Sequence, residues 1–196
     1  MSEKTLYKGH IIEIVPDDDS FDPLEGIDTF KMICFHRRYD LGHKHSFADP
    51  EALDLFLRKH KPFYMKIYMY DHSGLAFRLS RADGGNPFYG RLPQGHAEFD
   101  SGQVGVVYML RSDLKKWYNN DTEKAEITMR SVIEEEYQAY VNGWVYAYVI
   151  KDMCDEIADS CGGFTDSNDA MKAAKDEIDE RLRLESLEKI AELERV

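Results

Sequence analysis

The alternation of apolar and polar residues divides the chain into strand-like and helix-like stretches. Residues 5–15, TLYKGHIIEIV, are rich in β-branched and aromatic side chains and predict a strand. Turn formers and acids follow over 16–28, predicting a surface loop, and TFKMICFH (29–36) predicts a second strand. Asp49-Pro50-Glu51 has the chemistry of a helix start. The aspartate can cap, and proline at the first helical position loses no needed N–H. Leu53, Phe56 and Leu57 then recur at helical spacing until Pro62 forbids continuation. FYMKIYMYD and LAFRLS, joined by Asp71-His72-Ser73-Gly74, predict a β-hairpin with a tight turn. Residues 81–102 carry five of the 13 glycines and two of the six prolines, which predicts a long irregular loop.

Beyond that loop, QVGVVYML (103–110) predicts a core strand, and Ser112 or Asp113 can cap a short helix reaching Trp117. A longer helix is predicted over 122–141. Ile127, Val132, Ile133, Tyr137, Tyr140 and Val141 form its apolar stripe, with Gly143 placed to end it. WVYAYVIKD and EIADSCGGF predict a second hairpin turning at Asp152–Asp155. From Ser167 to Val196 one long helix is expected, with Ser167 as its cap. Its stripe shifts from Ala174, Ile178 and Leu182 to Leu184, Leu187 and Ala191, which does not sustain a coiled coil. The expected fold is α+β: an antiparallel sheet of about six to seven strands with packed helices. The expected division is a core over 1–165 and a charged helix over 166–196.

Charge changes this picture more than composition does. The net charge is −12, distributed as −4 over 1–60, +3 over 61–120, −7 over 121–160 and −4 over 161–196. Phosphate contacts need Lys and Arg, so this balance argues against direct binding of nucleic acid or an anionic membrane. It favours a basic protein partner, although solubility alone also selects acidic surfaces. Carboxylates on helices can imitate a phosphate backbone. Glu134, Glu135, Asp176, Asp179 and Glu180 are the candidates for contact with such a partner. Cys34, Cys154 and Cys161 fit neither a zinc motif nor a disulfide framework. The N-terminus lacks an apolar signal core, and no apolar run approaches the roughly 20 residues of a membrane helix. A reduced, cytoplasmic protein is expected, with no cofactor.

Candidate chemistry gathers in the predicted turns. His43 and His45 can share a metal only from an extended strand, with Asp71 or His72 as further donors if the loops converge. The basic clusters His36-Arg37-Arg38 with His43-Lys44-His45, and Arg58-Lys59-His60-Lys61, could hold a phosphate or an acidic partner, or pair with Asp17-Asp18-Asp19. Asp71-His72-Ser73 has the residue types of a hydrolytic triad. No Gly-x-Ser-x-Gly elbow accompanies it, and a turn selects the same residues. Gly84-Gly85 and Gly162-Gly163 lack the lysine or spacing of a nucleotide loop.

Five blocks carry a resemblance: CFHRRYDLGHKH (34–45), YDHSG (70–74), DSGQVGVVYM (100–109), YQAYVNGWVYAYV (137–149) and DSCGGF (159–164). Together they resemble a family of uncharacterised bacteriophage and prophage proteins, over roughly residues 30–165. Within the shared blocks, Arg37, Arg38, Asp40, Asp71, His72, Ser73, Asp100 and Gln103 are the candidate site residues. His43 stands where the family usually has an acid, GHAEF replaces its Cys-Pro-Trp, and Gly162 replaces its Trp. The resemblance implies a small phage accessory protein, a class that includes inhibitors of host defence enzymes.

Three functions are therefore expected in order. The first is a non-enzymatic binder that inhibits a host protein such as a CRISPR or restriction nuclease. The second is a metal-binding enzyme whose pocket is formed by His43/His45, Asp71–Gly74 and Asp100–Gln103. The third is an oligomeric assembly protein joined through the C-terminal helix.

Overall fold

The computed structural model describes residues 3–92 and 95–193. Its eight strands are β1 (Glu3–Tyr7), β2 (His10–Pro16), β3 (Lys31–Cys34), β4 (Phe63–Asp71), β5 (Leu75–Arg81), β6 (Ser101–Met109), β7 (Tyr146–Lys151) and β8 (Ile157–Phe164). The helices are α1 (Pro50–His60), α2 (His96–Asp100), α3 (Arg111–Tyr118), α4 (Thr122–Arg130), α5 (Gln138–Val141) and α6 (Ser167–Leu193). A π-helical stretch, Ser131–Tyr137, joins α4 to α5. The fold is α+β and every strand pairing is antiparallel. The strands form two four-stranded sheets, ordered β1-β2-β7-β8 and β3-β6-β4-β5. The chain divides into a smaller unit, Met1–Phe21 with Gly143–Val196, and a larger unit, Asp22–Asn142. This differs from the expected boundary at 165: α6 belongs with the N-terminal strands because its apolar face packs on them.

In the smaller unit the expected single strand over 5–15 is a hairpin. Lys8 and Gly9 both take positive φ, 47° and 80°, the geometry of a tight two-residue turn. Ile12, Ile14, Tyr148 and Ile150 point from β2 and β7 onto Ala170, Ala174 and Ile178 of α6. The two alanines, four residues apart, let the helix backbone approach the sheet. Asp166, not Ser167, caps α6: its carboxylate accepts from the Asn168 N–H at 2.7 Å. From Arg183 to Leu193 every described residue is exposed, so the last turns of α6 extend past the sheet. Residues 194–196 lie outside the described part. Among the described residues no helix is long and apolar enough to cross a membrane.

In the larger unit α1 covers one face of the sheet through Leu53 and Leu57 against Ile33 and Val106. Asp49 caps it, accepting from Ala52 N–H at 2.8 Å. The other face buries Met65, Ile67, Met69, Phe77 and Leu79 against Met129, Val132, Ile133 and Tyr137. Ile127, expected in that stripe, is 67% exposed. The short helix α3 lacks the side-chain cap expected from Ser112 or Asp113, and begins instead after Leu110.

The open edge of β5 is closed by side chains rather than by another strand. Arg130, Glu134, Gln138 and Asn142 recur every fourth residue and so share one helix face. Leu79 N–H donates to Glu134 at 2.6 Å and Phe77 N–H donates to Gln138 at 2.8 Å. Leu75 exchanges two bonds of 2.8 Å with Asn142. Arg130 donates to Leu79 O at 2.9 Å and to Glu134 at 2.7 Å. This satisfies backbone groups that an exposed edge would otherwise offer to another chain.

Candidate functional site

The β4–β5 turn, the loop after β3 and the short helix α2 meet at one end of the larger unit. A polar cleft of about 670 Å³ lies there, lined by Arg38, Tyr39, Asp40, Asp71, His72 and Asn142, among others. Arg38 donates to the Asp71 carboxylate at 2.6 Å, and Tyr39 OH donates to it at 3.3 Å. Asp71 is thereby held by a cation and a hydroxyl. The Tyr39 ring stacks on His36, centroids 5.0 Å apart and planes inclined by 15°, while the Arg38 guanidinium lies over the same ring at 5.6 Å.

The neighbouring turn residue His72 faces α2. Its Nδ1 lies 3.4 Å from Asp100 Oδ2, and its ring centroid lies 5.2 Å from that of His96. The long region 81–102, expected to be irregular, contains α2. His96 and Asp100 occupy positions i and i+4 and so share a face. The far end of α2 is held by Ser101, whose hydroxyl donates to Ala97 O and accepts from Asn86 Nδ2 at 2.8 Å. Tyr70 stacks on His72 at 5.8 Å with planes 20° apart. The i, i+4 spacing of His96 and Asp100 stands in the sequence, but proline before it and glycine on both sides disguise the helical turn.

Not every candidate joins this cluster. Arg37 and Ser73 are exposed and do not line the cleft, and Asp40, at its rim, is exposed and makes no ion pair among the described residues. Gln103 lines a different cavity of about 490 Å³ under α1 and donates to Gly105 O at 3.4 Å. His43 and His45 are fastened to β3 instead of approaching the turn, which corrects the expected pocket. Met32 N–H donates to His43 Nδ1 at 3.0 Å, and His45 Nε2 lies 3.1 Å from Cys34 O. Burial, assisted by the Lys31 charge, lowers the His43 pKa and favours the neutral ring its acceptor role needs. Gly42 has φ 79°, and a Cβ there would stand 2.7 Å from Met32 O, so glycine lets this segment lie against the strand. Burial pushes the Cys34 thiol up to about 12, leaving it an inert core group.

The candidate carboxylates divide as well. Glu134 is committed to the β5 edge and to Arg130, so its expected role as a presented acid is displaced by an internal one. Asp179 pairs with Lys8 at 2.8 Å and Glu180 with Arg183 at 2.7 Å, and each pKa is lowered by that partner. Glu135 and Asp176 are exposed and hold no ion pair among the described residues. Comparisons with protein-family models, curated proteins and solved structures find no match to this chain.

Proposed function

We propose that this chain is an acidic accessory binding protein whose smaller unit docks on a basic protein surface of the kind that handles nucleic acid. The observation that carries this reading is the segregation of charge. The smaller unit has 9 Lys and Arg against 19 Asp and Glu, whereas the larger unit has 16 against 18. Nearly all of the surplus therefore sits on one small sheet and its helix.

The exposed end of α6 presents it. Glu185, Glu188 and Glu192 fall three and four residues apart, on one face, with no ion pair among the described residues. Leu184, Leu187 and Ala191 form an adjoining stripe, with Leu184 48% and Leu187 50% exposed. Acids on a rigid helix raise the rate of encounter with a positive surface, and an apolar stripe beside them adds contact area. The resemblance to phage proteins suggests a host partner in the host cytoplasm. A defence nuclease, such as a CRISPR or restriction effector, has the required basic channel, which docking would obstruct.

The test immobilises the full chain, captures from bacterial lysate at about 0.05 M and about 0.5 M salt, and challenges the captured protein with duplex DNA and RNA. A basic protein retained at low salt, released by nucleic acid, and lost with Glu185/Glu188/Glu192→Gln supports the reading. Capture that is indifferent to salt and to these substitutions overturns it.

A further inference from the structure

We propose that the larger unit binds one divalent transition-metal ion through His72, His96 and Asp100. One donor atom from each residue can be chosen so that all three lie within 4.8 Å of one another. Two ligands on a tetrahedral ion, at bond lengths of about 2.0–2.1 Å, stand about 3.3 Å apart. The 3.4 Å between His72 Nδ1 and Asp100 Oδ2 already meets that spacing. The remaining approach is small enough for side-chain rotation of His96 to supply. Two imidazoles and one carboxylate are the donors that zinc, iron and nickel accept, and magnesium or calcium would take oxygen donors instead.

The surroundings favour an open site. None of the three residues is buried. The His96–Asp100 pair is carried on a helical turn anchored through Ser101 and Asn86, and the His72 ring is braced by Tyr70. Asp71, the nearest other carboxylate in sequence, is occupied by Arg38 and Tyr39 and does not supply a fourth ligand. Three protein ligands leave the remaining positions to solvent or to a small anion, the arrangement of reactive rather than structural metal centres. The Arg38-lined cleft shares His72 with this cluster and gives such an anion room. His72, His96 and Asp100 lie in the larger unit and α6 in the smaller one, so loss of either function leaves the other standing.

The experiment treats the full chain with chelator, then titrates it with Co²⁺ by visible absorption and with Zn²⁺ by competition. One equivalent is expected to bind. His96→Ala, Asp100→Asn and His72→Asn should each weaken binding by at least about tenfold, while His10→Ala leaves it unchanged. Circular dichroism confirms that each variant is folded. Binding should also weaken on acidification, because protons compete for the imidazoles. No Co²⁺ or Zn²⁺ binding by the folded wild type, or binding that survives all three ligand substitutions, overturns the proposal. In that case the 3.4 Å contact is a simple histidine–aspartate pair.

Discussion

Replacing Asn142 by alanine removes both hydrogen bonds that close the first residue of β5. Asn142 Oδ1 accepts from Leu75 N–H and Asn142 Nδ2 donates to Leu75 O, both at 2.8 Å, and Nδ2 also donates to Gln138 O at 2.6 Å. Each such bond contributes about 0.5–1.5 kcal/mol net, and an orphaned backbone group costs more where water cannot reach it. These groups are part-buried, so water replaces some of what is lost, and the expected total is about 2 kcal/mol. For a unit of this size that is a fall in melting temperature of about 6–10 °C. Urea unfolding followed by circular dichroism reads the loss, and amide exchange locates it. The Leu75 N–H should exchange faster, while Phe77 and Leu79, still held by Gln138 and Glu134, keep more of their protection. Glu135→Ala, one residue beyond Glu134 but pointing to solvent, is the control and should stay within about 0.5 kcal/mol. An Asn142→Ala protein as stable as that control, with an unchanged Leu75 amide, would refute the edge-closing role.

Other outcomes follow from the same geometry. The lowered pKa of His43 means the unfolded chain binds a proton before the folded one does. Stability should therefore be full above the unfolded value of about 6.5 and fall as pH drops below it, and His43→Gln, which keeps an acceptor, should flatten that decline in pH-dependent melting. Ile178→Ala empties the seat of α6 on its sheet and should cost about 2–5 kcal/mol in urea unfolding. A thiol-specific reagent should titrate exposed Cys154 and Cys161 in the folded protein and reach Cys34 only after denaturation. Gly105→Ala should abolish or severely destabilise the larger unit, because a Cβ there would collide with Ile33 O, and its melting transition should show it.

Those features that rest on one local signal were legible in the sequence. Asp49 followed by Pro50 at a helix start, the β4–β5 turn and the β7–β8 hairpin are each set by neighbours in the chain, and each stands where its residues place it. The Lys8–Gly9 turn does not show in the sequence, because a continuous β-rich run conceals a two-residue reversal. The division into two sheets could not be read locally, since β2 pairs with β7 across more than a hundred residues. Site residues behaved likewise. Arg38 and Asp71 stand in two of the shared sequence blocks and are joined, yet nothing in their positions announces a contact across 33 residues. His43 and His45 have the spacing of paired donors, but an alternating His-x-His on an extended segment is equally what a strand edge can use, and β3 uses it.

The carboxylates show why residue type underdetermines role. Glu134 and Glu188 both lie on helices among other acids, and charge counting treats them alike. Glu134 belongs to the ladder Arg130, Glu134, Gln138 and Asn142, whose members share a face turned toward unpaired strand amides. A carboxylate there meets a backbone donor and an arginine, and its charge is spent inside the fold. Glu188 lies beyond the last buried residue of α6, where no sheet remains to accept it and no cation pairs with it among the described residues. Position along an element, measured from where its packing ends, thus separates structural acids from presented ones. The presented acids therefore lie at the end of α6. Truncation after Leu182 keeps Ala170, Ala174 and Ile178 on the sheet, so it should preserve the fold of the smaller unit by circular dichroism while abolishing salt-sensitive capture. Capture undiminished by that truncation would place the binding surface elsewhere.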